Sequence, residues 1–123
     1  MRKKIFWTVL SALLMGIVTA PLAITQDEWP FRVNRVTDRI VVFQTGNYFE
    51  DAYVTVIMTK KGLIVVDTGG FPTLAEQYKK KIKEVLGRDD FIYVINTHDN
   101  IDHTGGNQAF AGAPIIEIGR AHV

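Results

Sequence analysis

Two short apolar runs, Leu63–Val66 and residues 91–95, bracket one helix whose limits are written into the sequence. A strand with no polar alternation is buried on both faces, so layers must cover it on each side. Between the runs, Leu74, Tyr78, Ile82, Val85 and Leu86 recur at three- and four-residue steps and form one apolar stripe. Thr73 followed by Glu76, with Pro72 just before, reads as a capping box, and Gly87 stands where a C-terminal cap belongs. Lys79, Lys80, Lys81 and Lys83 fill the outer face as a solvated flank.

The remaining punctuation extends this pattern. Residues 39–43 (Arg-Ile-Val-Val-Phe) and Tyr53–Met58 are strand candidates, the first closed by Thr45, Gly46 and Asn47. Lys60, Lys61 and Gly62 read as a hairpin turn into Leu63–Val66. Asn107–Phe110 reads as a short helical turn and residues 115–118 as a last strand. The order β-β-β-α-β-loop-β indicates a layered α/β or α+β fold. Residues 24–38 show no period and read as a lead-in segment to a domain over residues 39–123.

The first 23 residues follow a different plan. Arg2, Lys3 and Lys4 precede an uncharged run over residues 5–18, followed by Thr19, Ala20, Pro21, Leu22 and Ala23. That is the tripartite layout of an export signal, cleaved or kept as an anchor. The expected location is periplasmic or secreted, with transient membrane contact through the leader. Its three bases account for the whole-chain charge of +1; residues 24–123 hold 11 basic and 13 acidic side chains, a net −2. No basic surplus exists to neutralise phosphates, so nucleic acid is not an expected partner. The chain has no cysteine, which excludes disulfides, thiolate metal sites and cysteine nucleophiles.

The chemistry-bearing stretch follows the second apolar run and spans residues 96–107: Asn96, Thr97, His98, Asp99, Asn100, Ile101, Asp102, His103, Thr104, Gly105, Gly106, Asn107. Loops at the C-terminal ends of strands are where α/β proteins place their sites. In an extended loop, residues two apart face the same way. His98, Asn100 and Asp102 would then converge, with His103 turned to the adjacent side. Imidazole and carboxylate are ordinary zinc donors. By spacing alone, two histidines and neighbouring aspartates fit capping and turn chemistry as well as metal binding.

The stretch resembles the His-x-His-x-Asp-His signature of the metallo-β-lactamase superfamily, with Thr97 before it and Gly105, Gly106 and Asn107 after it. Lys61 through Gly69 is similar to that family's strand ending in Asp-Thr-Gly, here Asp67, Thr68 and Gly69. The resemblance implies an αββα sandwich, of which this chain would be the N-terminal half: a mixed sheet with a flanking helix. It implies a hydrolase that uses a metal-bound hydroxide on an ester, lactone, amide or sulfate ester of a small molecule, with one or two zinc ions or another divalent metal as cofactor. His98 would be a ligand of a first metal site, Asp102 and His103 ligands of a second, and Asp102 is the residue assigned a catalytic part. Asp67 would support the metal loop, and Gly69 would serve its tight turn; a turn or helix cap is the alternative for Asp67.

Two departures from the family pattern bear on activity. Asn100 stands where the signature has its second histidine, and an amide oxygen is a weak, neutral donor. The family's second half supplies a further metal-binding histidine, a bridging acid in most branches and a final histidine, which residues 1–123 do not contain. A truncated or degenerate, non-catalytic member is therefore the alternative expectation, and this chain alone is expected to be inactive. Residues 43–51, with Tyr48 and Phe49, read as a lid or an ordinary loop, and His122 as a surface residue.

Overall fold

A computed structural model describes residues 30–45 and 53–117. The leader, residues 46–52 with the Gly46–Asn47 turn and most of the suggested lid, Ile118 and His122 lie outside the described residues. Among the described residues no helix is long and apolar enough to cross a membrane.

Six strands form one sheet in the order β1(Phe31–Arg35), β2(Ile40–Thr45), β3(Tyr53–Met58), β4(Leu63–Val66), β5(Phe91–Asn96), β6(Ile115–Glu117). Strands β1 to β4 are antiparallel neighbours, while β4–β5 and β5–β6 are parallel. The sheet is mixed, as expected, and the helix α1(Pro72–Leu86) makes the crossover between β4 and β5.

Alternation along the strands decides which face the helix covers. Val41 pairs with Val56 and Val56 with Val65; Val65 pairs with Val94. These four, with Phe43, Val54 and Leu63, are buried beneath Leu74, Ala75, Tyr78 and Ile82 of α1. The opposite face carries Val42, Ile57, Ile64, Val66 and Ile95, all half-buried, and the exposed Tyr53, Tyr93 and Ile116.

Two local expectations change. The segment expected to lead in contains β1, whose register runs from Phe31↔Thr45 to Arg35↔Val41. Four of its five side chains are exposed, so an edge strand held by its ladder carries no hydrophobic period; Phe31 alone packs inward, edge-on to Tyr78 with ring centres 5.0 Å apart. The capping box at Thr73 is not formed: the N-cap is Phe71, no side chain caps it, and Pro72 occupies the first turn. Proline there loses no hydrogen bond, since first-turn N–H groups have no intrahelical partner. Glu76 instead contacts Lys79 at 3.3 Å. The lysine-rich flank is largely engaged, with Lys81 on Glu84 and Lys83 on Asp89, and Gly87 ends the helix in the left-handed region with its N–H on Lys83 O.

At the sheet end away from the histidines, Arg88 closes the hairpin. Its guanidinium bonds both oxygens of Asp90 and donates to Thr59 O at 3.1 Å. That hydrogen-bonded guanidinium holds the Asp90 carboxyl below the usual carboxylate range, against a smaller opposing effect of desolvation.

Candidate metal-binding loop

Two loops meet at the C-terminal ends of the parallel strands β4 and β5. The chain leaves β4 through Asp67, the one non-glycine residue among those described with positive φ (60°), and then Gly69 (φ 82°). Aspartate is among the few side chains that tolerate this left-handed conformation, and at Gly69 the positive φ falls on the residue that adopts it most readily. The second loop runs from Thr97 through the short helix α2(Ile101–Thr104) and the 3₁₀ turn Asn107–Phe110. It docks on the first through main-chain bonds: Thr68 N to His103 O at 2.9 Å and Gly106 N to Gly69 O at 2.9 Å. The approach is close enough that a Cβ on Gly105 would collide with Gly70 O, and one on Gly106 with Thr68 O.

Asp67 is 5% exposed and caps no helix. Its Oδ1 accepts from Thr97 N at 2.9 Å, and its Oδ2 accepts from Thr97 Oγ1 at 2.9 Å. Oδ2 also lies 2.9 Å from His103 Nδ1. A carboxylate only accepts, so this bond is donated by His103 Nδ1; a neutral ring in that tautomer has its lone pair on Nε2. That Nε2 stands 3.2 Å from Asp102 Oδ2. Two acceptors that face each other at this distance are reconciled by a proton or by a cation between them.

His98 lies against His103, with ring centres 4.0 Å apart and planes at 49°. Its Nδ1 is 2.9 Å from Thr97 Oγ1. The structure thus sets His98, Asp102 and Asp67 each against His103.

Asn100 is placed differently from the alternation expected of an extended loop. It is the N-cap of α2, where its main-chain carbonyl accepts from His103 N and Thr104 N at 3.0 and 3.1 Å. The chain turns helical at Ile101, so the two-residue alternation that would aim His98, Asn100 and Asp102 at one point ends there.

The donor chemistry fits a divalent ion. Each imidazole has its Nδ1 engaged by a protein oxygen, which orients the ring, as in histidines held for metal ligation. The donor count does not close a site: among the described residues no three His, Cys, Asp or Glu side chains stand together to hold an ion.

Four residues that sequence reasoning left without a role build the floor of this loop. Thr97 sits between Asp67 and His98. Thr68 and Asn96, both fully buried, converge on His103 O, with Thr68 Oγ1 3.1 Å and Asn96 Nδ2 3.3 Å from that oxygen, and Asn107 bonds to both of them. Asn96 had a signal that could have found it. It continues the inward face of Val94 at the end of an apolar strand, and a buried amide requires partners.

Residues 47–123 match the family model described as the metallo-beta-lactamase superfamily. Over 75 residues the chain is 31% identical to 2,4-dinitroanisole O-demethylase subunit beta of Nocardioides sp. (strain JS1661), a match covering 58% of this chain and 24% of that protein. Among solved structures it resembles a metallo-beta-lactamase from Pontibacter korlensis (21% identity, TM-score 0.59, 72% of this chain and 43% of that one). It also resembles a HARLDQ-motif mutant of a metallo-beta-lactamase from Cronobacter sakazakii (27% identity, TM-score 0.59, 70% of this chain and 34% of that one). The chain therefore spans about a quarter of the curated relative's length (24%) and well under half of these structures (43% and 34%).

Proposed function

The chain belongs to the metallo-beta-lactamase superfamily, and from that premise we propose that it carries the first half of the metal site of an exported metal-dependent hydrolase. The observation that carries this reading is the His98–His103–Asp102 cluster, with both Nδ1 atoms committed to protein oxygens and the His103 Nε2 beside a carboxylate. His98, Asp102 and His103 would hold the ion, zinc in the first instance, and Asn100 would supply at most a weak amide donor. When bound, the ion activates water and polarises the electrophile. The chain's own contribution is orientation: Asp67 fixes the His103 ring, the Gly105–Gly106 approach seats the loop on the residues that follow β4, and Asp102 stands 3.2 Å from the Nε2 of His103.

The substrate class is a small molecule with an ester, lactone, amide or sulfate-ester bond. The Nocardioides relative is named for the O-demethylation of 2,4-dinitroanisole, which adds an aryl methyl ether to the candidate classes. The leader over residues 1–23 supports a periplasmic or secreted location. Elemental analysis of the folded protein tests the reading. Zinc is expected in the wild type and absent from a variant carrying alanine at His98, Asp102 and His103; equal metal content in the two defeats the proposal.

A second reading, that the protein is a degenerate member without a working metal site, is favoured by Asn100 and by the lack of a three-donor cluster among the described residues. The same measurement separates the two.

A further inference from the structure

Asp67 serves one histidine directly, and a hydroxyl stands between it and the other. Thr97 Oγ1 lies 3.1 and 2.9 Å from the two Asp67 oxygens and 2.9 Å from His98 Nδ1. A hydroxyl has one proton to give and lone pairs to accept with. The carboxylate cannot donate, so the Thr97 proton goes to Asp67, and His98 Nδ1 must then supply the proton of its own bond to Oγ1. The His98 proton is thereby placed on Nδ1 and its lone pair on Nε2. At His103 two carboxylates compete for the one proton of a neutral ring, and the buried Asp67 at 2.9 Å prevails over the exposed Asp102 at 3.2 Å, giving the same tautomer.

The main chain makes the arrangement rigid. Thr97 N donates to Asp67 Oδ1 at 2.9 Å, so backbone and side chain of one residue grip the same carboxylate. Asp67 N is in turn tied to Ile95 O at 2.8 Å, two residues before Thr97. The hydroxyl cannot swing away from Asp67 without giving up part of this clasp.

We propose that Thr97 is a positioning residue that relays the buried Asp67 carboxylate to His98, so that one acid sets the ring tautomer of both histidines. The purpose of the relay rests on the metal-binding reading above; its existence does not. It also assigns different consequences to two neighbouring substitutions. Loss of Asp67 releases both rings, whereas loss of the Thr97 hydroxyl releases His98 alone.

Ring-nitrogen correlation spectra of the 15N-labelled full chain test this at alkaline pH, where imidazoles are neutral. The histidine signals are assigned with single His→Gln variants. Both His98 and His103 are expected as Nδ1–H tautomers in the wild type. Thr97→Val is expected to move the His98 tautomer ratio by about tenfold towards Nε2–H, the weight of one hydrogen bond. His103 is expected to stay as it was, and Thr97→Ser to retain the wild-type pattern. Asp67→Asn is expected to shift both rings.

A wild-type His98 in the Nε2–H form overturns the relay. So does a Thr97→Val spectrum with His98 unchanged, or one in which His103 moves in step with it. Should Thr97→Val fail to fold, the wild-type and Thr97→Ser spectra decide, because Nε2–H at His98 in either is incompatible with the relay. Zinc added alone to the wild type reads the other proposal independently. The expected tautomers without any zinc-dependent change at either ring support the relay and overturn the metal-binding reading.

Discussion

Asn96 and Asn107 face each other as reciprocal amides: Asn107 Nδ2 donates to Asn96 Oδ1 at 2.8 Å, and Asn96 Nδ2 donates to Asn107 Oδ1 at 3.1 Å. The pair joins the end of β5 to the 3₁₀ turn that follows the histidine loop. Thr68 Oγ1 adds a third member, 3.0 Å from Asn107 Oδ1. His103 is thus held twice, by its ring on Asp67 and by its carbonyl on this buried network.

Removing either amide leaves the other without its reciprocal partner in a largely buried site. Asn107→Ala and Asn96→Ala are each expected to lower stability by about 1–3 kcal/mol, the cost of an unsatisfied buried polar group. The double variant should cost clearly less than the two added together, because both single changes break the same two bonds. Urea unfolding of the three variants measures this, and strict additivity would show that the pair is not coupled.

Asp67 combines a backbone strain with a polar task, and two substitutions separate them. Asp67→Asn keeps a side chain that tolerates the left-handed backbone but gives up the charge received by Thr97 and His103. It is expected to cost about 1.5–3 kcal/mol, the range for hydrogen bonds to a charged group. Asp67→Ala should cost about 1–2 kcal/mol more, the penalty of an ordinary L-residue at positive φ. Equal destabilisation of the two variants in chemical denaturation would remove the backbone from the account.

How much of this was legible follows the range of the interactions. Leu63–Val66 and Tyr53–Met58 announce themselves because burial on the pleat writes directly into residue type. The α1 stripe does so for the same reason: Leu74, Tyr78 and Ile82 are all fully buried. β1 was invisible because an edge strand with Arg32, Asn34 and Arg35 outward is specified by its partner's ladder, not by its own side chains. In the histidine loop the ligand candidates were readable as types. Their convergence was not, because it depends on the turn at Asp67 and on α2, which ends the extended geometry at Asn100.

The Arg88–Asp90 pair gives the hairpin end an acid-dependent contribution. The folded-state pKa of Asp90 is depressed, so its ionised form contributes stability above the unfolded value of about 3.9 and loses it as pH falls through the lower folded value. Denaturation midpoints of wild type and Asp90→Asn, followed from about pH 6 downwards, should therefore differ most at the upper end and converge at the acidic end. A constant gap across the series would mean that the carboxyl is not ionised in the contact.

Asn100 offers the sharpest check on the metal-binding reading. It is exposed at the start of α2, its side chain makes no capping bond, and its structural work is done by the main-chain carbonyl. Asn100→His should therefore leave thermal stability without zinc nearly unchanged. If the missing imidazole is what weakens the site, the variant should tighten zinc binding by about tenfold or more, equivalent to about 1.4 kcal/mol. The gain should vanish when His98→Ala is added, since the two rings would act on one ion. Calorimetric titration of the wild type, the single variant and the double variant measures all three. An Asn100→His protein that binds zinc no better than the wild type would move the cause of weak binding from this position to donors outside the described residues.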